Sequence, residues 1–338
     1  MFLRRALSVV ATAGVVVLGA VSPAAAVTTD LGSLPGTDRS VAYAVTGGTA
    51  VGYSATADWS FQHATRWNPD GTATDLGTLP GDRSSSAQGV NAAGVVVGTS
   101  SSPSWVNTPV RWAPDGTISA LPLLPGSGSA YAEAISDSGV VVGYAYGGTV
   151  GGTRGVRWNT DGTVTELLPL PGGYTTAMPE AVAADGTAVG TSMGGGLRNR
   201  ATRWNPDGTT TDLGILPGGY ESRAHGVNSH GAAVGYVRTA DATDHAVRWN
   251  PDGTTTDLGV LVAGGGSWAS SINDAGVVVG QAYGPTGAYR PVRWGVDGVI
   301  VDLGVPSGQS TGNAWAVDGD GTVVGESGYQ PRATRWTD

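Results

Sequence analysis

Residues Ala201-Thr-Arg-Trp-Asn-Pro-Asp-Gly-Thr-Thr-Thr-Asp-Leu-Gly214 carry the pattern that decides the fold. Asn205 suits the first position of a type I turn, Pro206 presets φ for the second, and Gly208 takes the left-handed conformation that closes a bulged hairpin. Two strands therefore meet here. The Arg-Trp pair at the centre recurs as Arg66-Trp67, Arg111-Trp112, Arg157-Trp158, Arg203-Trp204, Arg248-Trp249, Arg293-Trp294 and Arg335-Trp336, at intervals of 42 to 46 residues. A fixed period of this length is the mark of a solenoid or propeller.

Each period holds four short runs rich in Val, Ile, Thr and Trp, bounded by Gly, Pro, Asn and Asp, with no helical periodicity. Four strands per repeat and seven repeats predict an all-β, seven-bladed β-propeller with four antiparallel strands per blade. Blades crowd at the axis, so the innermost strand needs small side chains. The run containing Ala42/Ala44, Ala87/Gly89, Ala132/Ala134, Ala224/Gly226, Ala269/Ser271 and Ala314/Ala316 supplies them, the fourth repeat departing with Pro179 before Ala181. The last repeat ends at Trp336 without a fourth strand, while Thr28-Thr29-Asp30-Leu31-Gly32 stands alone at the other end. The first segment is expected to complete the last blade and so remove two open edges.

Residues 1–26 read as a secretory signal: Arg4-Arg5, an apolar run from Ala6 to Val21, then Ala24-Ala25-Ala26 as a cleavage site. Residues 27–338 are expected to form one exported domain with no membrane insertion. There is no cysteine, so stability must come from the core rather than from disulfides. The net charge is −9 and every one of the 18 basic residues is Arg, which argues against a nucleic-acid partner.

The set Arg-Trp-Asn-Pro-Asp-Gly, Asp-Leu-Gly-x-Leu-Pro-Gly, Gly-Val-Asn and Val-Val-Gly resembles the probable extracellular repeat family named after a His-Ala-Phe tripeptide. The resemblance covers the whole mature chain. The tripeptide itself is degraded, His63-Ala64-Thr65 and His245-Ala246-Val247 coming nearest. It implies secretion and a repeat fold, with no agreed activity.

The repeat Trp residues read as blade core, since aromatic groups dominate core burial. An acid stands at the Asp-Leu-Gly position in six of seven copies (Asp30, Asp75, Glu166, Asp212, Asp257, Asp302), with Ala120 the exception, and could tie the repeat Arg across the hairpin. Asp318-Gly-Asp-Gly321 reads as a turn rather than a calcium loop. Gly151-Gly152 and Gly194-Gly195-Gly196 read as loops, and the four His lack metal-ligand spacing. No cofactor and no metal are expected.

Two places could carry function. Loops on one face vary in length and chemistry: Trp59 and Phe61, Trp105, Tyr144 and Tyr146, Arg198 and Arg200, Arg238, Tyr283, Tyr289 with Arg290, and Tyr329. Variable aromatic and Arg-bearing loops on a rigid scaffold are where binding usually resides. The second place is a ring near the axis, set between the small residues of the inner strand: Tyr43, Gln88, Glu133, Glu180, His225, Ser270 and Trp315. Glu occurs only five times in the chain, yet two of the five sit here in adjacent repeats, with Glu221 just ahead of the ring. These features favour a secreted, monomeric, non-catalytic module that binds a glycan, peptide or partner protein. The alternative is a lyase or hydrolase using the central Glu/His cluster, and convergence of Glu133 and Glu180 in one pocket would favour it.

Overall fold

The computed structural model describes residues 26–147, 153–196 and 198–338. The expected leader, apart from Ala26, lies outside the described residues, as do Gly151 and Gly152. Twenty-eight strands are present among the described residues, and no helix.

The strands assemble as antiparallel meanders. Ser127–Ile135, Val141–Gly147, Thr153–Trp158 and Val164–Leu167 form a four-stranded sheet in chain order, and the fourth, fifth and sixth repeats each do the same. The chain begins with β1 (Val27–Asp30), β2 (Arg39–Thr46), β3 (Thr49–Ala55), β4 (Gln62–Trp67), β5 (Ala73–Asp75) and β6 (Ser84–Val90). β1 pairs not with its sequence neighbour but with Arg332–Thr337, Thr28 lying opposite Trp336. It is the fourth strand of the last repeat's sheet.

Where one sheet per repeat was expected, there are six hydrogen-bonded sheets. The first two repeats share a single eight-stranded sheet, because Gln62 of β4 forms a parallel bridge with Ser84 of β6. Among the described residues the sheets do not join into one continuous hydrogen-bonded ring; packing, side-chain bonds and single backbone bonds, such as Ser222 N–H to the Asn199 carbonyl at 3.1 Å and Ser40 N–H to the Pro331 carbonyl at 2.9 Å, connect the rest.

The turn at Asn205 has the expected form. The Gly208 N–H donates to the Asn205 carbonyl at 3.0 Å, Gly208 has φ 86°, and Asp207 accepts from the Thr209 N–H at 2.9 Å.

The core lies between sheets rather than within them. All seven repeat Trp side chains are buried. Trp204 packs with Val142 of the preceding repeat, Trp249 with Val189 and Ala201, and Trp294 with Val234 and Ala246. Trp67, in the first repeat, packs with Val324 and Ala333 of the last. A Ser hydroxyl at the start of the inner strand repeats the link: Ser85, Ser222 and Ser267 accept from the N–H groups of Ala64, Ala201 and Ala246. Ser40 accepts in the same way from Ala333 at 3.0 Å, joining first repeat to last.

The expected cross-hairpin tie is corrected. Glu166 stands opposite Val156, while Arg157 stands opposite Thr165 and so points to the other face. The acid instead meets the His or Arg three residues before the repeat Arg, a diagonal neighbour on its own face. The pairs are His63–Asp75 and His245–Asp257 at 2.9 Å, Arg200–Asp212 at 3.6 Å, Arg290–Asp302 at 2.9 Å, Arg332–Asp30 at 3.3 Å, and Arg154–Glu166. The second repeat, with Ala120 in place of the acid, has Thr108 in place of the His or Arg. The repeat Arg residues reach forward: Arg157, Arg203 and Arg335 donate to the carbonyls of Gly186, Gly231 and Gly48 at 2.5, 2.6 and 2.7 Å.

Candidate functional site: the central cavity

The inner strand of every repeat carries a β-bulge, and the bulged residue is the variable ring residue. In the third repeat Ala132 pairs with Gly143 and Ala134 with Val142, leaving Glu133 without a cross-strand partner. The same shift falls around Tyr43, Gln88, Glu180, His225, Ser270 and Trp315. A bulge bends the strand and re-aims a side chain. The Val-Val-Gly motif explains how it fits, because the bulged backbone bends over that glycine. A Cβ on Gly143 would stand 1.9 Å from the Tyr131 carbonyl oxygen, and one on Gly190 or Gly235 would stand 2.0 Å from the carbonyl oxygens of Met178 and Arg223. Only glycine leaves room for this approach.

Seven bulges aim seven side chains at one place. Tyr43, Gln88, Glu133, Glu180, His225, Ser270 and Trp315, with Tyr144 and Met178, line a single cavity of about 350 Å³. Its wall is aromatic on two sides. Tyr43 packs on Trp315 at 6.4 Å and on Tyr53 at 5.9 Å between ring centroids. Across the cavity Tyr144 stacks on Tyr131 at 5.0 Å, with Tyr146 edge-on to both.

Between these walls lie Glu133, Glu180 and His225. Burial pushes the Glu133 carboxyl up to about 7; the Glu180 carboxylate adds to the rise and the facing Tyr144 hydroxyl opposes it. Burial raises Glu180 as well, against the lowering pull of His225 and Arg223. The His225 Nε2 stands 3.9 Å from a Glu180 oxygen. Its Nδ1 lies 3.0 Å from the Ala269 carbonyl, which can only accept, so Nδ1 carries the hydrogen and a neutral ring presents Nε2 as a base. One carboxyl raised to about 7 thus shares the cavity with a second raised carboxyl and an imidazole. That is the equipment for moving a proton on and off a bound molecule.

The other expected residues are placed as follows. Tyr144 belongs to the strand Val141–Gly147 rather than to a loop, which is why it reaches the cavity. Tyr289 and Arg290 open the strand Tyr289–Trp294 and do not line the cavity. Tyr289 stacks on Tyr283 at 4.8 Å, and Arg290 is held by Asp302. Glu221 is buried away from the ring, where it accepts from the Asn199 amide. Met178 and Tyr131 gave no signal in the sequence. Each lies two residues before a bulged residue and keeps its regular cross-strand partner, Met178 opposite Thr191 and Tyr131 opposite Tyr144.

The opposite mouth of the axis is formed by the turns that follow the inner strands. It holds a second cavity of about 470 Å³ with Asp137, Asp274, Asp318 and Asp320 in its wall. Three of these carboxylates are already engaged: Asp137 and Asp274 accept from the backbone of Ala92 and Ser229 at 2.8 Å, and Asp318 from Gly48 at 3.2 Å.

No known family matches the chain by sequence, and no curated protein does. Solved structures do match in fold. A streptogramin B lyase is similar over 92% of this chain and 97% of its own, with TM-score 0.61 and 12% identity. A puromycin hydrolase mutant with a bound ligand matches 86% of this chain and 50% of its own, at TM-score 0.59 and 16% identity. TolB from Acinetobacter baumannii matches 86% of this chain and 64% of its own, at TM-score 0.53 and 12% identity. The chain therefore spans about half the length of the hydrolase. At these identities the likeness is one of fold: this is an all-β, propeller-like protein.

Proposed function

We propose that the chain is a seven-bladed propeller whose central cavity binds a small polar molecule and transfers protons on it, as a lyase or hydrolase. The blade count follows if the eight-stranded sheet is divided at its single bridge and β1 is assigned to the last blade. The observation that carries the activity is the convergence of Glu133, Glu180 and His225 in one cavity under two aromatic walls. Glu133, its carboxyl raised to about 7, is the acid, and His225 Nε2 is the base, its ring oriented by the Nδ1–H bond to the Ala269 carbonyl with Glu180 beside it. The leader read at residues 1–26 and the resemblance to the extracellular repeat family support action outside the cell.

Recognition without turnover is the second reading. The aromatic lining by Tyr43, Tyr144 and Trp315 favours it, since such walls hold a ligand whether or not a reaction follows. One experiment separates the two. The full chain is screened for turnover and binding, starting from streptogramin B because the lyase shares the fold, and extending to small esters. Glu133→Gln and Glu180→Gln keep shape but remove proton transfer. Turnover that both substitutions abolish, with binding retained, supports the enzyme. A ligand bound and never converted by the wild type favours recognition, and a ligand whose affinity ignores Tyr43→Ala and Trp315→Ala lies elsewhere and rejects both.

A further inference from the structure

Among the described residues three side chains other than glycine adopt the left-handed conformation: Trp59 at φ 60°, Trp105 at φ 63° and Ala242 at φ 64°. All three occupy one position. In the turns joining second to third strand, the N–H of Trp59, Trp105, Ala242 or Gly287 donates to the carbonyl of Thr56, Ser102, Thr239 or Gly284. The sixth repeat has glycine there, at φ 77°. For a bulky side chain this conformation is a genuine outlier, and such outliers gather at functional sites. The first two repeats thus carry indoles where the turn calls for glycine, and both indoles are exposed, at 45% for Trp59 and 67% for Trp105.

The two Trp residues face one pocket. Together with Ser60, Gln62, Arg83 and Ser84 they line a slot of about 390 Å³. Its lining includes Gln62 and Ser84, the two residues whose parallel bridge fuses the first two repeats into one sheet. The bridge holds the Trp-tipped turns at a fixed separation. Arg83 lies over Trp105 at 4.4 Å, and Arg39 lies over Trp59 at 5.3 Å. No side chain among the described residues hydrogen-bonds or ion-pairs with the Arg83 guanidinium, so its edge donors remain free while its face is stacked.

We propose that this slot is a carbohydrate site for an acidic saccharide. The electron-rich faces of two indoles suit the C–H faces of a sugar ring. Gln62, Ser60 and Ser84 offer donors and acceptors to its hydroxyls, and the free fork of Arg83 matches a carboxylate in bidentate geometry. The protein's net charge of −9 repels polyanions in general, so a uronate must be admitted through this local pairing. The site is separate from the central cavity and stands or falls on its own.

Calorimetric titration of the full chain with a galacturonic-acid tetramer and with the matching galactose tetramer tests this. The uronate is expected to bind at least about tenfold more tightly than the neutral sugar. Trp59→Gly and Trp105→Gly should each weaken it at least about tenfold, with Tm unchanged or raised, because glycine relieves the left-handed strain. Arg83→Gln should erase the preference for the charged tetramer. Glu133→Gln and Glu180→Gln should leave the affinity untouched, which separates this site from the central one. Absence of binding to the uronate, equal binding of both tetramers, or affinity unaffected by the two Trp substitutions overturns the proposal.

Discussion

A single methyl group separates the glycine of Val-Val-Gly from a collision with the inner strand. Gly143→Ala would place a Cβ against the Tyr131 carbonyl, so the bulge must flatten or the strands must part. The expected result is a marked loss of Tm together with loss of ligand in the central cavity, measured by thermal unfolding and titration. Trp204 makes the complementary case. It is buried between two repeats, and Trp204→Ala is expected to cost about 3 to 5 kcal/mol in denaturant unfolding. Glu133 gives a pH signature. Its carboxyl rises from 4.5 to about 7 on folding, so between those values the folded state holds a proton that the unfolded state releases. Stability from this group is present below pH 4.5 and is lost as pH rises through 7. Tm compared at pH 5 and pH 8 should fall more for the wild type than for Glu133→Gln; equal falls would show that Glu133 is not buried as described.

At the scale of the hairpin, the Asn-Pro-Asp-Gly turn and the four-run grammar were legible because turn chemistry is local. The ring was legible too: residues that break an otherwise uniform small-residue pattern must point somewhere different. The Arg–acid tie was not, since register decides which side chains share a face and a single residue of slip reverses the answer. The fused sheet of the first two repeats was also hidden, as one backbone bridge leaves no mark in composition. Tyr144 was misplaced for a related reason, strand ends being the least marked boundaries in a chain of short strands. The corrected tie makes its own prediction. Arg290 is partly exposed and paired with Asp302, so Arg290→Ala should lower stability by at most about 1 kcal/mol and leave the central cavity's affinity unchanged. A large loss of binding would return Arg290 to the site.

Across the whole molecule the fold repeats one interface and closes it with residues from both ends. The Ser hydroxyl that links neighbours elsewhere links Ser40 to Ala333, and Trp67 rests on the last repeat. Deleting 28–32 would leave Arg332–Thr337 as an open edge. Such edges invite aggregation, and the deletion should either lower the Tm sharply or drive self-association visible by light scattering. Unchanged melting of a monodisperse protein would reject the role given to β1.

The pairing of Thr28 with Trp336 also governs how the molecule comes into being. Closing a loop of seven repeats instead of one raises the equilibrium cost by only about 1.7 kcal/mol, but contacts so distant in sequence are slow to find each other. A chain emerging from its N-terminus carries β1 unpaired until the final repeat has been made. The hydrogen bonds that join the two ends cannot form before the last repeat has been made. The interval before that pairing is when an unfinished copy is open to proteases and to its neighbours, and its length is set by synthesis of the last repeat rather than by any property of the finished fold.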